Sequence, residues 1–289
     1  VLAKERLLPM TKVLFRALLM CALTHSLLPV TAIAEQLTLN GELTQGTLLR
    51  GNVPENSKVW LNGKEIKVLP SGDFVIGFGR DAKLSHTLQW QAPEKSEKNA
   101  HQISLTQREY NIQRIEGVAS KYVSPPQSVT DRIREDNRQI GAARRTFSNL
   151  TSFLETFILP AEGPISGVYG SQRVFNGEPK RPHYGLDIAG PVGTAIVAPA
   201  SGRVSLAHDD MYYSGGTLIV DHGMGVSSTF IHLSKITVKE GEFVEQGQKI
   251  GEMGATGRVT GPHLDWRINW FSERLDPALV LPEASSQSD

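Results

Sequence analysis

One cysteine, Cys21, occurs in the 289 residues. It lies ahead of Ala34, in a stretch that reads as a removable leader, so the chain beyond it carries no thiol. Disulfide staples and cysteine nucleophiles are thereby excluded. Hydrophobic runs of membrane length are lacking as well. The apolar run from Ala17 to Leu28 holds 12 positions, short of the roughly 20 that span a bilayer. Neither sign of charge dominates: 30 Lys and Arg stand against 30 Asp and Glu. Without the leader's four basic and one acidic residues, 26 basic groups face 29 acidic ones. No basic field exists to hold nucleic acid, and that partner class is excluded. Also absent are His-Glu-x-x-His, Gly-x-Ser-x-Gly, Ser-x-x-Lys and a phosphate-binding glycine loop. Hydride and phosphoryl transfer therefore have no support.

What is present begins with that leader. Lys4, Arg6, Lys12 and Arg16 precede the apolar run, and Ala32-Ile33-Ala34 places small residues at −3 and −1. Residues 1–34 read as a secretory signal cut before Glu35, leaving no membrane span. Met20, before Cys21, is too large for a usual lipoprotein site. Export without disulfides fits a bacterial periplasm. The remaining length suggests about two domains at ~150 residues each.

The chain is expected to be mainly β. From 35 to 122 it reads as short strands of a small β-sandwich-like domain. Val59-Trp60-Leu61 runs into Asn62-Gly63, a hairpin signal because both residues tolerate positive φ. Pro70 to Asp73 is a second turn, and His86 and His101 stand alone as surface or turn residues. Residues 123–156 form a linker opened by Pro125-Pro126. Ser128 to Asp131 fits a capping box, and Val129, Ile133, Ile140, Phe147 and Leu150 predict one amphipathic helix of five or six turns. Its plainest role is packing between two domains. From 157 to 282 dense glycine and β-branched runs predict a compact antiparallel β unit. Residues 283–289 read as a disordered tail.

Two stretches of that unit carry chemistry. His183-Tyr184-Gly185-Leu186-Asp187 sets a histidine and a carboxylate four positions apart, and His263-Leu264-Asp265 sets them two apart. Pro182 and Gly185 argue against helix. In an extended chain i, i+2 and i+4 share a face, so each pair aims at one point. Imidazole nitrogen and carboxylate oxygen are donors that zinc accepts. Of the other histidines here, His222 reads as turn chemistry and His208 as part of a solvated loop. Tyr169 and Tyr184 are candidates for lining a cleft.

These residues sit among others in a familiar order: Ile165 to Gly170 with Arg173, Ala198-Pro199-Ala200 with Gly202 and Val204, Val220 to Gly223, Phe230-Ile231-His232-Leu233-Ser234, Gly247-Gln248 with Ile250-Gly251, and Gly261 to Leu264. Over about 160–280 the chain resembles the lysostaphin-like, LytM-type zinc endopeptidases of bacterial cell walls. The resemblance implies an antiparallel β catalytic domain with one Zn2+ ion bound by His183 and Asp187. It implies that His232 and His263 flank the attacking water. The family's third ligand is a histidine at the position held here by Asp265. Aspartate is a competent zinc ligand, but two carboxylates with one histidine would cancel the ion's charge. Arg267, two further along the same strand face, is a competing partner for Asp265. Ligation by Asp265 is the expectation carried forward.

The implied activity is hydrolysis of peptide cross-links in peptidoglycan after export. The alternative is a degenerate domain of the same type that activates another cell-wall hydrolase as its regulatory partner. A third reading, a biotinyl- or lipoyl-like carrier suggested by Val244 to Gly251, fails because no lysine sits on the required hairpin.

Overall fold

The computed structural model describes residues 37–115, 127–175 and 177–282. The leader, the Pro125-Pro126 break and the tail from Glu283 lie outside the described residues. The N-terminal strands are β1 (Thr38–Asn40), β2 (Leu48–Asn52), β3 (Lys58–Leu61), β4 (Lys64–Ile66), β5 (Asp73–Gly77), β6 (Ser85–Gln91), β7 (Asn99–Ser104) and β8 (Ile112–Ile115). A sheet ordered β1-β2-β5 faces one ordered β4-β3-β6-β7. Leu49, Phe74 and Ile76 from the first and Val59, Leu88 and Ile103 from the second form a shared core, all at or near zero exposure. Asn62 and Gly63 take φ of 51° and 80° between the paired ends of β3 and β4. This is the tight hairpin the dipeptide predicts.

Residues 130 to 144 form α1 (Thr130–Arg144). The helix is 15 residues long, shorter than the five or six turns expected from its periodicity. Ser128 falls in a short 3-10 turn, and no side chain caps the first turn, so the capping box is not formed. Beyond Arg144 the backbone has other partners: Ser148 O accepts from Met224 N at 2.9 Å. That bond holds the chain off the helical path, and Phe147 is left exposed. Ile140 and Ala143 pack on Leu206, Met211 and Ile219. The buried side of α1 also carries Asp136, which accepts from Tyr212 N at 2.8 Å, and Arg144.

The second half is built from β9 (Ile165–Gly167), β10 (Gln172–Phe175), β11 (Glu178–Pro179), β12 (Leu186–Ala189), β13 (Ala195–Val197), β14 (Gly202–Met211), β15 (Gly215–Gly223), β16 (Val226–Ile236), β17 (Phe243–Val244), β18 (Lys249–Met253), β19 (His263–Trp270) and β20 (Glu273–Leu275). Its main sheet runs β17-β14-β15-β16-β19-β12-β9, with β18 and β20 paired to β16 and β19. The chain is therefore mainly β, and α1 is the one α-helix among the described residues. Alternation on β19 decides which residues face the site. Leu264, Trp266 and Ile268 are fully buried on the core face, each worth about 1.5–3 kcal/mol. His263, Asp265, Arg267 and Asn269 occupy the other face.

The N-terminal strands also brace the second half. β8 pairs in parallel with β10, Arg80 Nε donates to Gly170 O at 2.9 Å, and Arg108 forms an ion pair with Asp276 at 2.8 Å. A Cβ on Gly170 would overlap the Tyr110 ring, so glycine alone lets that ring lie against the turn.

His222 and His208 lie within β15 and β14, not in a turn and a loop. Fully buried His222 contacts Ser201 O through Nδ1 at 2.7 Å and Ser228 Oγ through Nε2 at 2.8 Å. Burial, ahead of its neighbours, holds its pKa below the ordinary value. The unfolded chain then binds the extra proton first, so stability present above about pH 6.5 falls as pH drops below it. Urea midpoints measured on either side of about pH 6.5 are expected to fall toward acid, and His222→Gln to flatten that slope. An unchanged slope in the variant would assign the acid sensitivity elsewhere.

Candidate metal centre

Register brings the two motifs together. In the antiparallel β12–β19 pair, Asp187 stands directly opposite Asp265. Like charges directly opposed on a sheet are destabilising unless a cation lies between or beside them. His183 arrives from the turn before β12, held by backbone bonds to Ser171 and Gly170. Ligand atoms of His183, Asp187 and Asp265 all lie within 4.8 Å of one another.

His183 Nε2 and Asp187 Oδ1 are 3.1 Å apart, yet both are buried with no hydrogen-bond partner. Such orphaned atoms cost about 1–3 kcal/mol each unless something satisfies them. Burial pushes the His183 pKa down, but Asp187 and Asp265 outweigh it and hold it above the ordinary value. The locus attracts positive charge, and the nitrogen and oxygen donors fit a divalent cation of zinc's type.

Asp265 is also held by Arg267. Nε donates to Oδ1 at 2.9 Å and Nη2 to Oδ2 at 2.5 Å, so the competing partner is engaged. Burial raises the Asp265 pKa, but the Arg267 guanidinium overrides this and keeps it below the usual carboxylate range. An ionised carboxylate has about four lone-pair positions, so a two-point fork leaves acceptor capacity on each oxygen. The pair is neutral as a unit, like an imidazole. With Asp187 and a doubly charged ion, the sum is +1, the value for two histidines and one carboxylate. Cancellation of the ion's charge, expected from the two carboxylates alone, is thus offset by Arg267.

Glycines leave room for the carboxylates. A Cβ on Gly185 would overlap Asp265 Oδ1, and one on Gly167 would overlap Asp187 Oδ2. Gly185→Ala is expected to displace Asp265, lowering stability by about 1–3 kcal/mol and metal content at limiting zinc. Metal analysis beside a denaturation curve checks both; full zinc occupancy would show that Asp265 is not needed there.

His232 and His263 form a second pair, ring centroids 4.9 Å apart. His232 Nδ1 lies 2.9 Å from Thr256 O, and His263 Nδ1 lies 2.8 Å from Gly261 O. A carbonyl only accepts, so each Nδ1 carries the hydrogen and each Nε2 is left as the acceptor when the ring is neutral. Burial keeps the His232 pKa below its ordinary value, so the ring is neutral near pH 7. His232 has φ of 71° at a register shift in β16, a conformation that a non-glycine residue adopts at a cost of order 1–3 kcal/mol. Its amide donates to Ser214 O at 2.8 Å, which holds the backbone in that bend.

Tyr184 is half-buried beside His183, whereas Tyr169 is 3% exposed and donates from Oη to Arg274 O at 2.7 Å, which removes it from the cleft. Sequence reasoning missed the two backbone carbonyls that set the histidine tautomers. Arg144, brought under the sheet by α1, left no sequence signal either, since exposed helix arginines look the same.

Opposed carboxylates and an adjacent imidazole thus converge close to a separate histidine pair. The sequence profile of peptidase family M23 matches residues 181–277. A Pseudomonas aeruginosa protein of known crystal structure, assigned to peptidase M23, is 30% identical with a TM-score of 0.65. It aligns over 83% of this chain and 95% of that one. The chain belongs to peptidase family M23. The peptidoglycan DD-endopeptidase ShyB of Vibrio cholerae is 40% identical over 108 residues, 37% of this chain and 25% of that one. The murein hydrolase activator NlpD of Escherichia coli is 32% identical over 130 residues, 45% of this chain and 32% of that one. The chain spans between 20% and 44% of the length of the first curated relatives it matches.

Proposed function

We propose that the chain is a zinc-dependent endopeptidase that hydrolyses peptide cross-links of peptidoglycan after export to the periplasm. The convergence of His183, Asp187 and Asp265, with two buried donor atoms left unpartnered, is the observation that carries this reading. Similarity to a DD-endopeptidase, 40% identical over 108 residues, supports the substrate class.

A zinc ion bound here would supply Lewis acidity toward a peptide carbonyl and a water. His183, Asp187 and Asp265 are its proposed ligands, and Arg267 holds Asp265 in place. Either Nε2 of the pair His232 and His263 accepts the water proton, while the other ring, protonated at Nε2, donates to the developing oxyanion. The neutral state favoured at His232 suits the acceptor role.

One observation favours a second reading. Both oxygens of Asp265 accept from Arg267, and a carboxylate committed to that pair rather than to a metal fits a non-hydrolytic activator. The similarity to NlpD allows the same reading. Zinc stoichiometry and release of soluble peptide from purified sacculi decide between them. One zinc per chain with release is the expected result. No zinc and no release, with stimulation of a second hydrolase, would establish the activator instead.

A further inference from the structure

Four guanidinium groups gather beside the metal centre, and among the described residues the one ion pair any of them makes is Arg267 with Asp265. Thr229 stands opposite Arg267 in the β16–β19 register, and its Oγ1 accepts from Arg144 Nη2 at 3.2 Å. Arg144 Nε is buried without a partner. One step along the same face Asn269 stands opposite Arg274 of β20, and Arg274 Nη1 is likewise buried and unpartnered. The guanidinium carbons of Arg181 and Arg274 each lie 5.9 Å from the ring centre of Tyr184, the residue after His183. A cleft of about 360 Å³ opens there, lined by Arg80, Asp81, Tyr184, Glu273 and Arg274. Asp81 is paired with Arg80.

Crowding cations in a half-buried place, with donors left empty, is unfavourable unless an anion completes the arrangement. The crowding registers in the groups themselves. Burial and then Arg274, Arg267 and Arg181 lower the Arg144 pKa, and burial followed by Arg267 and Arg181 brings Arg274 to about 10. Planar guanidinium forks match a carboxylate with two parallel hydrogen bonds, and an aromatic face steadies them.

We propose that Arg181 and Arg274, with Arg144 and Arg267 behind them, form an anion pocket for a free carboxylate of the peptide substrate, next to the residue that supplies the first metal ligand. This rests on the reading of the chain as a peptide cross-link hydrolase and adds what it selects. A peptide bearing an uncoupled carboxylate near the scissile bond is preferred over the same peptide amidated.

Calorimetric titration of the full-length chain with a short product peptide, C-terminally free or C-terminally amidated, tests it without requiring turnover. The free peptide is expected to bind about ten- to a hundredfold more tightly. In Arg274→Gln, and separately in exposed Arg181→Gln, that ratio is expected to fall toward one. Equal binding of the two peptides by the natural chain overturns the pocket, as does an unchanged ratio in both variants. The two ideas fail separately: preference without peptide release from sacculi removes the activity and keeps the pocket, and release without preference does the reverse.

Discussion

Asp265→Ala is expected to strip the chain of zinc, with at least a hundredfold loss of affinity, while Asp265→His keeps the metal. Changes to groups that merely support ligands cost about 10–100-fold, and Asp265 contributes a donor atom itself. The alanine variant also strands Arg267, whose guanidinium sits largely buried against the carboxylate. Breaking such a pair by removing one partner costs about 3 kcal/mol or more. Destabilisation alone could therefore mimic metal loss, and the histidine variant separates the effects. It strands Arg267 equally but restores a nitrogen donor. Zinc retained in Asp265→His and lost in Asp265→Ala assigns the loss to coordination. Unchanged zinc in Asp265→Ala would remove Asp265 from the ligand set and leave the Arg267 pair as its whole role.

His232→Ala and His263→Ala are expected to lower kcat on peptidoglycan by about 10²–10⁴ each, the range for a positioned proton-transfer group, with zinc content kept. Because the two rings act on one reacting centre, the double variant should fall well short of the product of the single losses. Metal analysis beside the kinetics is the control. Loss of zinc in either single variant would move that histidine into the coordination shell. Full activity in both would end the proposed mechanism.

The strand content and several turns were legible because their signals are local. Asn62-Gly63 and Gly72 need positive φ, and each takes it. The helix was overextended because periodicity ignores competition: Ser148 O is claimed by Met224 N, a contact about 75 residues away that no helical pattern encodes. At the site, spacing identified the two motifs and the side on which each presents its donors. Their meeting depends on the register that sets Asp187 against Asp265, a long-range property of β12 and β19. The positive φ of His232 was not legible either, since it follows from a register shift rather than from residue type.

The parallel pairing of β8 with β10 bears on how this protein should be handled. An excised fragment beginning near residue 157 would lose that neighbouring strand and present unsatisfied amides along Gln172–Phe175, an invitation to aggregate. It would also lose Tyr110 and Arg80, which clamp the turn leading to His183. Weak activity in such a truncated preparation would reflect a slack hinge at that turn, and kinetics on the intact chain are the meaningful ones.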